Sequence, residues 1–297
     1  MSKVLRCLAA DAAVMAMVMD STDMVTEMAR MHQTSPTMAA ALGRTLTAAS
    51  LRGVMLKNTE DSVTLKLSGG GPAGTVMAVA DGLGNARGCA GDPSVELPLK
   101  ENGHLDVGGA IGEDGMLYVF RDIGAKEPYI GCTPLVSGEV AEDLTYYYAH
   151  SEQIPTVCAL GVLIDRDRSI KTAGGILLQL LPFCPDAVID QIEKNLASLP
   201  SVTEMMASGM DTTAIADRLL DGMGYEVVDT YEPSYRCTCS REKVEGAFAA
   251  IPTDELLTLP DENGETTVNC NFCDKIYTFT AKDLQRIAAN RTKPTEE

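Results

Sequence analysis

Four cysteines near the C-terminus stand in two close pairs, Cys237-Thr-Cys239 and Cys270-Asn-Phe-Cys273. The stretch that holds them, residues 232–297, is thin in apolar residues. It offers a short helix at residues 254–259, a strand candidate at 275–279, and a last helix capped by Thr280 and Asp283 and carrying Leu284 and Ile287. A region this small buries a modest fraction of its surface and needs a staple. Four thiolates satisfy the tetrahedral preference of zinc, and two close pairs separated by a loop bring four ligands together. The spacing therefore predicts a four-cysteine site for one Zn2+ on Cys237, Cys239, Cys270 and Cys273. The binding energy of such a metal is folding energy, on the order of ten kcal/mol in small zinc peptides.

The first pair permits something further. Cα atoms two residues apart can fall inside the ~4.4–6.8 Å window of a disulfide. Closing that bond demands a backbone shape different from a chelating one, so oxidation would eject a metal held there. Spacing alone leaves both a permanent staple and a redox switch open.

The chain has 297 residues, enough for two domains or one large domain with appendages, and 45% of them are hydrophobic. Its formal charge is −18, and residues 232–297 carry 8 Lys and Arg against 12 Asp and Glu. Nucleic-acid affinity comes largely from basic side chains releasing counterions, so DNA and RNA are disfavoured as partners, and anionic membranes with them. Lys3 and Arg6 precede an apolar stretch, but Asp11 interrupts it and no small-x-small cleavage pattern follows. No run approaches the ~20 apolar residues of a membrane span. The expected location is the cytoplasm, where thiols stay reduced. Cys7, Cys89, Cys132, Cys158 and Cys184 are scattered singly and are expected to be small buried hydrophobes.

Along the chain, residues 21–36 predict a short helix. Ser35 and Pro36 then open a longer one running to about Leu56. Val63, Leu65 and Leu67 alternate with polar residues as a half-buried strand. Gly69, Gly71 and Gly74 match G-x-G-x-x-G, but strand-like residues follow instead of a helix, so the loop reads as a hairpin connection. Residues 103–131 read as short strands with Gly turns. Ser137 is expected to cap a helix with Glu139, Glu142 and Asp143 in its first turn, where acids complement the helix dipole without any catalytic role. His32, His104 and His150 show no ligand spacing. Two apolar strands flank the charged turn at 165–168. Beyond Pro185 come three short helices: one with Val188, Ile192, Leu196 and Leu199, one opened by a Ser201–Glu204 capping box, and one ending before Gly224. Such helices bury little alone and must lie on something else.

The fold class is thus α+β: a mixed-sheet core with packed helices over residues 1–182, a helical linker over 183–231, and a small four-cysteine zinc domain over 232–297. With these features the chain resembles the 33 kDa chaperonin family of redox-regulated heat-shock chaperones. The likeness rests on the C-x-C and C-x-x-C pairs and on stretches at 35–46, 103–112, 126–131, 137–144, 151–155 and 173–182. It implies an ATP-independent holdase of the bacterial cytosol, not an enzyme, which zinc keeps folded and inactive. Oxidation would release the metal and form disulfides, carried over as Cys237 with Cys239 and Cys270 with Cys273. The linker would then loosen, unfolded or oxidatively damaged client proteins would bind, and the active form would be a homodimer. Two other readings are a zinc-ribbon adaptor for one folded partner and a thiol oxidoreductase using Cys270 and Cys273.

Overall fold

The structure is a computed structural model and describes residues 1–290; residues 291–297 of the expected tail domain lie outside the described part. The chain divides into two units, Met1–Arg236 and Cys237–Glu297.

In the first unit the apolar start of the chain is a hairpin, β1 (Lys3–Ala9) and β2 (Val14–Asp20). The sequence does not announce it, because β2 is buried on both faces and lacks alternation. Helices α1 (Thr22–His32) and α2 (Pro36–Gly53) follow. Ser35 caps α2 as expected, its hydroxyl accepting from the Met38 amide at 3.1 Å. Then come β3 (Ser62–Ser68), β4 (Val76–Asp81) and β5 (Ala86–Ala90). The glycine loop between β3 and β4 joins two antiparallel neighbours, so it is the hairpin connection expected.

Residues 103–131 differ from the all-strand expectation. Asp106 caps a short helix, α3 (Val107–Ile111), by accepting from the Gly109 amide, and only then do β6 (Met116–Asp122) and β7 (Tyr129–Pro134) form. Helix α4 (Ala141–Tyr147) passes into a π-turn at Tyr148–Glu152. Ser137 is not its cap: the buried Asp143 carboxylate accepts from the amides of Val136, Ser137, Gly138 and Val140, gathering the whole approach to the helix. Strands β8 (Thr156–Ile164) and β9 (Ile170–Leu180) flank the charged turn as expected.

The linker region holds α5 (Asp186–Ala197), α6 (Val202–Ala207) and α7 (Thr212–Leu219). Ser201 and Glu204 form the capping box. The region is not helical throughout, for β10 (Tyr225–Tyr231) is a strand along the outer edge of β1. Its pattern is mostly exposed, which hides it from a periodicity argument.

Two five-stranded sheets result, ordered β10-β1-β2-β9-β8 and β5-β4-β3-β6-β7, with every ladder antiparallel. Helix α2 packs on strands of both sheets, and 16 of its 18 residues are buried. An apolar surface all round is what such a position requires. Gly43 allows the close approach: a Cβ there would meet Val25 Cγ1 at 2.8 Å and Val162 Cγ2 at 3.0 Å. The other face of the first sheet carries Leu5, Cys7, Ala16, Val18 and Ile176, packed with Ile192, Val202, Met205, Ile215 and Leu219 of the linker helices. That is the apolar surface those amphipathic helices needed.

The second unit holds α8 (Arg241–Phe248), α9 (Thr253–Leu256), β11 (Glu265–Asn269), β12 (Ile276–Thr280) and α10 (Ala281–Asn290). The hairpin β11–β12 and the helices enclose Phe248, Leu256, Tyr277, Phe279, Leu284 and Ile287. Phe248 meets Phe279 edge to face at 5.0 Å, and Arg241 lies 4.1 Å over the Phe279 ring. Thr280 and Asp283 cap α10 reciprocally, the Thr280 amide donating to Asp283 at 2.9 Å.

Candidate metal centre

Two local structures present the sulfurs. Cys237 and Cys239 lie in the extended run before α8, whose N-cap is Ser240, its hydroxyl accepting from the Lys243 amide. The second pair sits in the tight turn that joins β11 to β12. There the Cys270 carbonyl accepts from the amides of Cys273 and Asp274, the Cys270 amide donates to the Lys275 carbonyl at 3.0 Å, and Asp274 takes φ +54°. The hairpin folds that turn back so that both Cys270 and Cys273 face the first pair.

All four Sγ atoms lie within 4.8 Å of one another. Cys237 Sγ is 3.6 Å from Cys270 Sγ, and Cys239 Sγ is 3.4 Å from Cys273 Sγ. A tetrahedron with Zn–S bonds of about 2.3 Å has sulfur–sulfur edges of about 3.8 Å. The four side chains therefore fit a metal ion of that size, and no His, Asp or Glu joins them among the described residues. Four residues selected by spacing are thus brought into one cluster capable of coordinating a metal.

The electrostatics are graded. Burial opposes ionisation of Cys239, but hydrogen bonds from Tyr277 and from the neighbouring thiols outweigh it and bring this thiol down to about 7. Burial pushes Cys237 and Cys273 up. One sulfur is thus set apart as the readiest thiolate, and a divalent cation would ionise the others as well. The Tyr277 hydroxyl, 3.0 Å from Cys239 Sγ, is the residue that spacing arguments overlooked. The only signal for it was the alternation of β12, which puts Tyr277 and Phe279 on one buried face.

The other candidates are accounted for elsewhere. Glu139 accepts from Arg44 at 2.5 Å, from Lys100, and from the Gly108 amide. Although burial opposes it, these partners hold its carboxyl below the usual range. It borders a polar cavity of about 290 Å³ shared with Arg44, Lys100, His104 and Glu142. His32 meets Tyr235 and His150 stacks on Tyr146, so the three histidines remain apart. Cys7 is buried and its thiol is pushed up to about 11 by burial, and Cys158 likewise to about 12. The expectation of burial holds only for Cys7: Cys89, Cys158 and Cys184 are half-buried, and Cys132 is exposed, because it points outward from β7 at the edge of its sheet.

An antiparallel two-sheet core, linker helices laid on one sheet and a compact tail gathered round four cysteine sulfurs define a class of chain whose C-terminal part is organised by a metal-ligating cluster. A family model described as Hsp33 protein matches residues 2–280. The 33 kDa chaperonin of Clostridium perfringens (strain 13 / Type A) is 43% identical over 292 residues, 98% of this chain and 92% of its own length. That of Alkaliphilus metalliredigens is 42% identical over 284 residues, 96% and 97% of the two chains. The crystal structure of the 33 kDa chaperonin (heat shock protein 33 homolog) from Thermotoga maritima superposes with a TM-score of 0.87 at 34% identity, covering 97% of this chain and 98% of that one. The chain belongs to the Hsp33, or 33 kDa chaperonin, family. It is accordingly a chaperone and not an enzyme, which favours neither the adaptor nor the oxidoreductase reading. No helix among the described residues is long and apolar enough to cross a membrane.

Proposed function

We propose that this chain is a redox-regulated, ATP-independent holdase of the bacterial cytosol, with Cys237, Cys239, Cys270 and Cys273 as zinc ligands in its inactive state. The observation that carries the reading is the pairing of four converging sulfurs with a buried apolar set of six side chains among the described residues. Bound zinc would supply two positive charges that offset the mutual repulsion of four thiolates.

Oxidation acts on the sulfurs. A thiolate attacks one oxygen of a peroxide, the O–O bond breaks, and a sulfenic acid forms while the other oxygen leaves as water after protonation. The second thiolate of the pair attacks that sulfur and displaces the remaining oxygen, again as water. Two electrons pass from two sulfurs to one peroxide for each disulfide. Family resemblance assigns the bonds to Cys237 with Cys239 and to Cys270 with Cys273, although the short sulfur approaches run between the pairs. Pairing within each motif has a physical consequence that crosswise pairing lacks. It removes every link between residues 237–239 and 270–273, so the region between them is no longer closed into a loop.

Once the tail unfolds, the linker helices lose the folded segment that follows them in the chain, and their apolar stripes and the sheet face beneath become available to unfolded clients. Met205, Met206, Met210 and Met223 of this region suit varied apolar partners. The division into a core of 1–182, a linker of 183–231 and a switch of 232–297 follows from this reading, as does a homodimeric active form.

The test is to treat purified, metal-loaded protein with peroxide at raised temperature. Zinc release, two mapped disulfides and suppression of client aggregation should rise together. Equal suppression by the reduced, metal-loaded chain would overturn the switch.

A further inference from the structure

The strand β5 is an edge of its sheet, yet its outer side is not open. Residues 233–236, the last of the first unit before Cys237, run beside it and meet it in a single isolated parallel bridge between Ala86 and Tyr235. The Ala86 amide donates to the Ser234 carbonyl at 3.0 Å, and the Arg236 amide donates to the Ala86 carbonyl at 2.8 Å. The hydroxyl of Tyr235 donates to the Gly88 carbonyl at 3.0 Å and lies 3.1 Å from His32 Nε2, with its ring against the main apolar core. Pro233 is buried beside Gly84, where a Cβ would lie 3.4 Å from the proline's own. Side chains therefore alternate inward and outward, Pro233 and Tyr235 in, Ser234 and Arg236 out.

The recognition joins two backbone hydrogen bonds, a seat for one aromatic side chain, and Asn85 Oδ1, which accepts from the Ser234 amide and hydroxyl at 3.1 Å; backbone pairing with a side-chain pocket is how sheet edges take extended peptides. We propose that the outer edge of β5 docks extended, aromatic-bearing segments of unfolded polypeptide, and that residues 233–236 fill it in the closed protein. The inference rests on the chaperone reading, since it names a surface through which clients would be held. The segment is fixed at one end by β10 and at the other by Cys237, so it faces the edge at a high effective concentration that no free strand matches. Freeing the Cys237 end restores the disorder of these residues and lets a strand of similar chemistry compete.

The experiment uses the full chain and a fluorescein-labelled hexapeptide of residues 231–236, Tyr-Glu-Pro-Ser-Tyr-Arg. Affinity by anisotropy should be about tenfold or more higher for the peroxide-oxidised than for the metal-loaded reduced protein. Replacing the second tyrosine of the peptide by alanine should weaken binding by about tenfold, as for a buried aromatic anchor. A photo-crosslinking residue at exposed Leu83 should join the chain's own 233–236 segment when reduced, and carboxymethylated α-lactalbumin when oxidised. Equal peptide affinity in both states, indifference to the tyrosine, or a persistent intrachain crosslink in client-loaded protein would overturn the edge site. Client retention together with any of those results leaves the chaperone reading intact. Peptide binding without client retention overturns that reading and leaves the docking edge standing.

Discussion

In the unit Met1–Arg236 an 18-residue helix buries 16 of its residues against two five-stranded sheets, whereas among the described residues of the unit that starts at Cys237 the buried apolar set is six side chains. The first assembly persists because removal of one contact leaves many others. The second has no such redundancy, and four sulfurs from distant parts of its chain converge where a larger domain would place aliphatic groups. Stability that resides in one centre can be withdrawn by chemistry at that centre, and stability spread over a core cannot. The linker helices lie between these extremes: α5 buries only Ile192 and Asn195 of its twelve residues, and its hold on the fold is the sheet face it covers.

The largest expected effect tests the contrast directly. Cys273→Ser should abolish tight metal binding, worth on the order of ten kcal/mol, and leave the tail open to protease while residues 1–236 stay resistant. A resistant tail in the metal-free variant would erase the distinction between the units. Next, Leu46→Ala within α2 should lower the unfolding free energy of the first unit by about 3 kcal/mol in urea titration without changing zinc content. A parallel loss of metal would mean that the two units do not unfold independently.

A smaller effect concerns charge. The folded carboxyl of Glu139 is depressed, so its contribution is present above its unfolded value of ~4.3 and is lost as pH falls through the folded value. Glu139→Gln should cost about 1–2 kcal/mol at neutral pH and flatten the acid limb of stability below about pH 4. An unchanged acid limb would place the pH sensitivity elsewhere. Smallest, Ser201→Ala removes the cap of α6 and should raise amide exchange in that helix by about 1 kcal/mol in opening free energy. If the linker is poised as described, the same variant should respond to a lower peroxide dose.

How legible these regions were follows from their means of support. The tail was readable because ligand spacing is a local property: Cys237, Cys239, Cys270 and Cys273 could be selected with no knowledge of the fold around them. Strand β3, the caps at Ser35 and Ser201, and the β8–β9 hairpin were readable for the same reason. What escaped depends on distant partners. Strand β2 is apolar on both faces, β10 exists through its register with β1, and Tyr277 reaches Cys239 across 38 positions of sequence. Ser137 lost the capping role to Asp143 because a buried carboxylate that accepts four amides outcompetes one hydroxyl.

Thioethers give the same molecule a second relation to oxidant. Of fifteen methionines only Met1, at 91%, is exposed, and Met17, Met19, Met28 and Met38 are fully shielded. A chain regulated through oxidation thus keeps the thioethers of β2 and of the inner faces of α1 and α2 out of reach and leaves its expendable electrons on the cysteines. Sulfoxide would arise first at Met1 and then at half-buried thioethers such as Met206, Met210 and Met223, whereas Met205 is buried and can be reached only once α6 leaves its sheet, so sulfoxide at Met205 would record how long the linker had stood open.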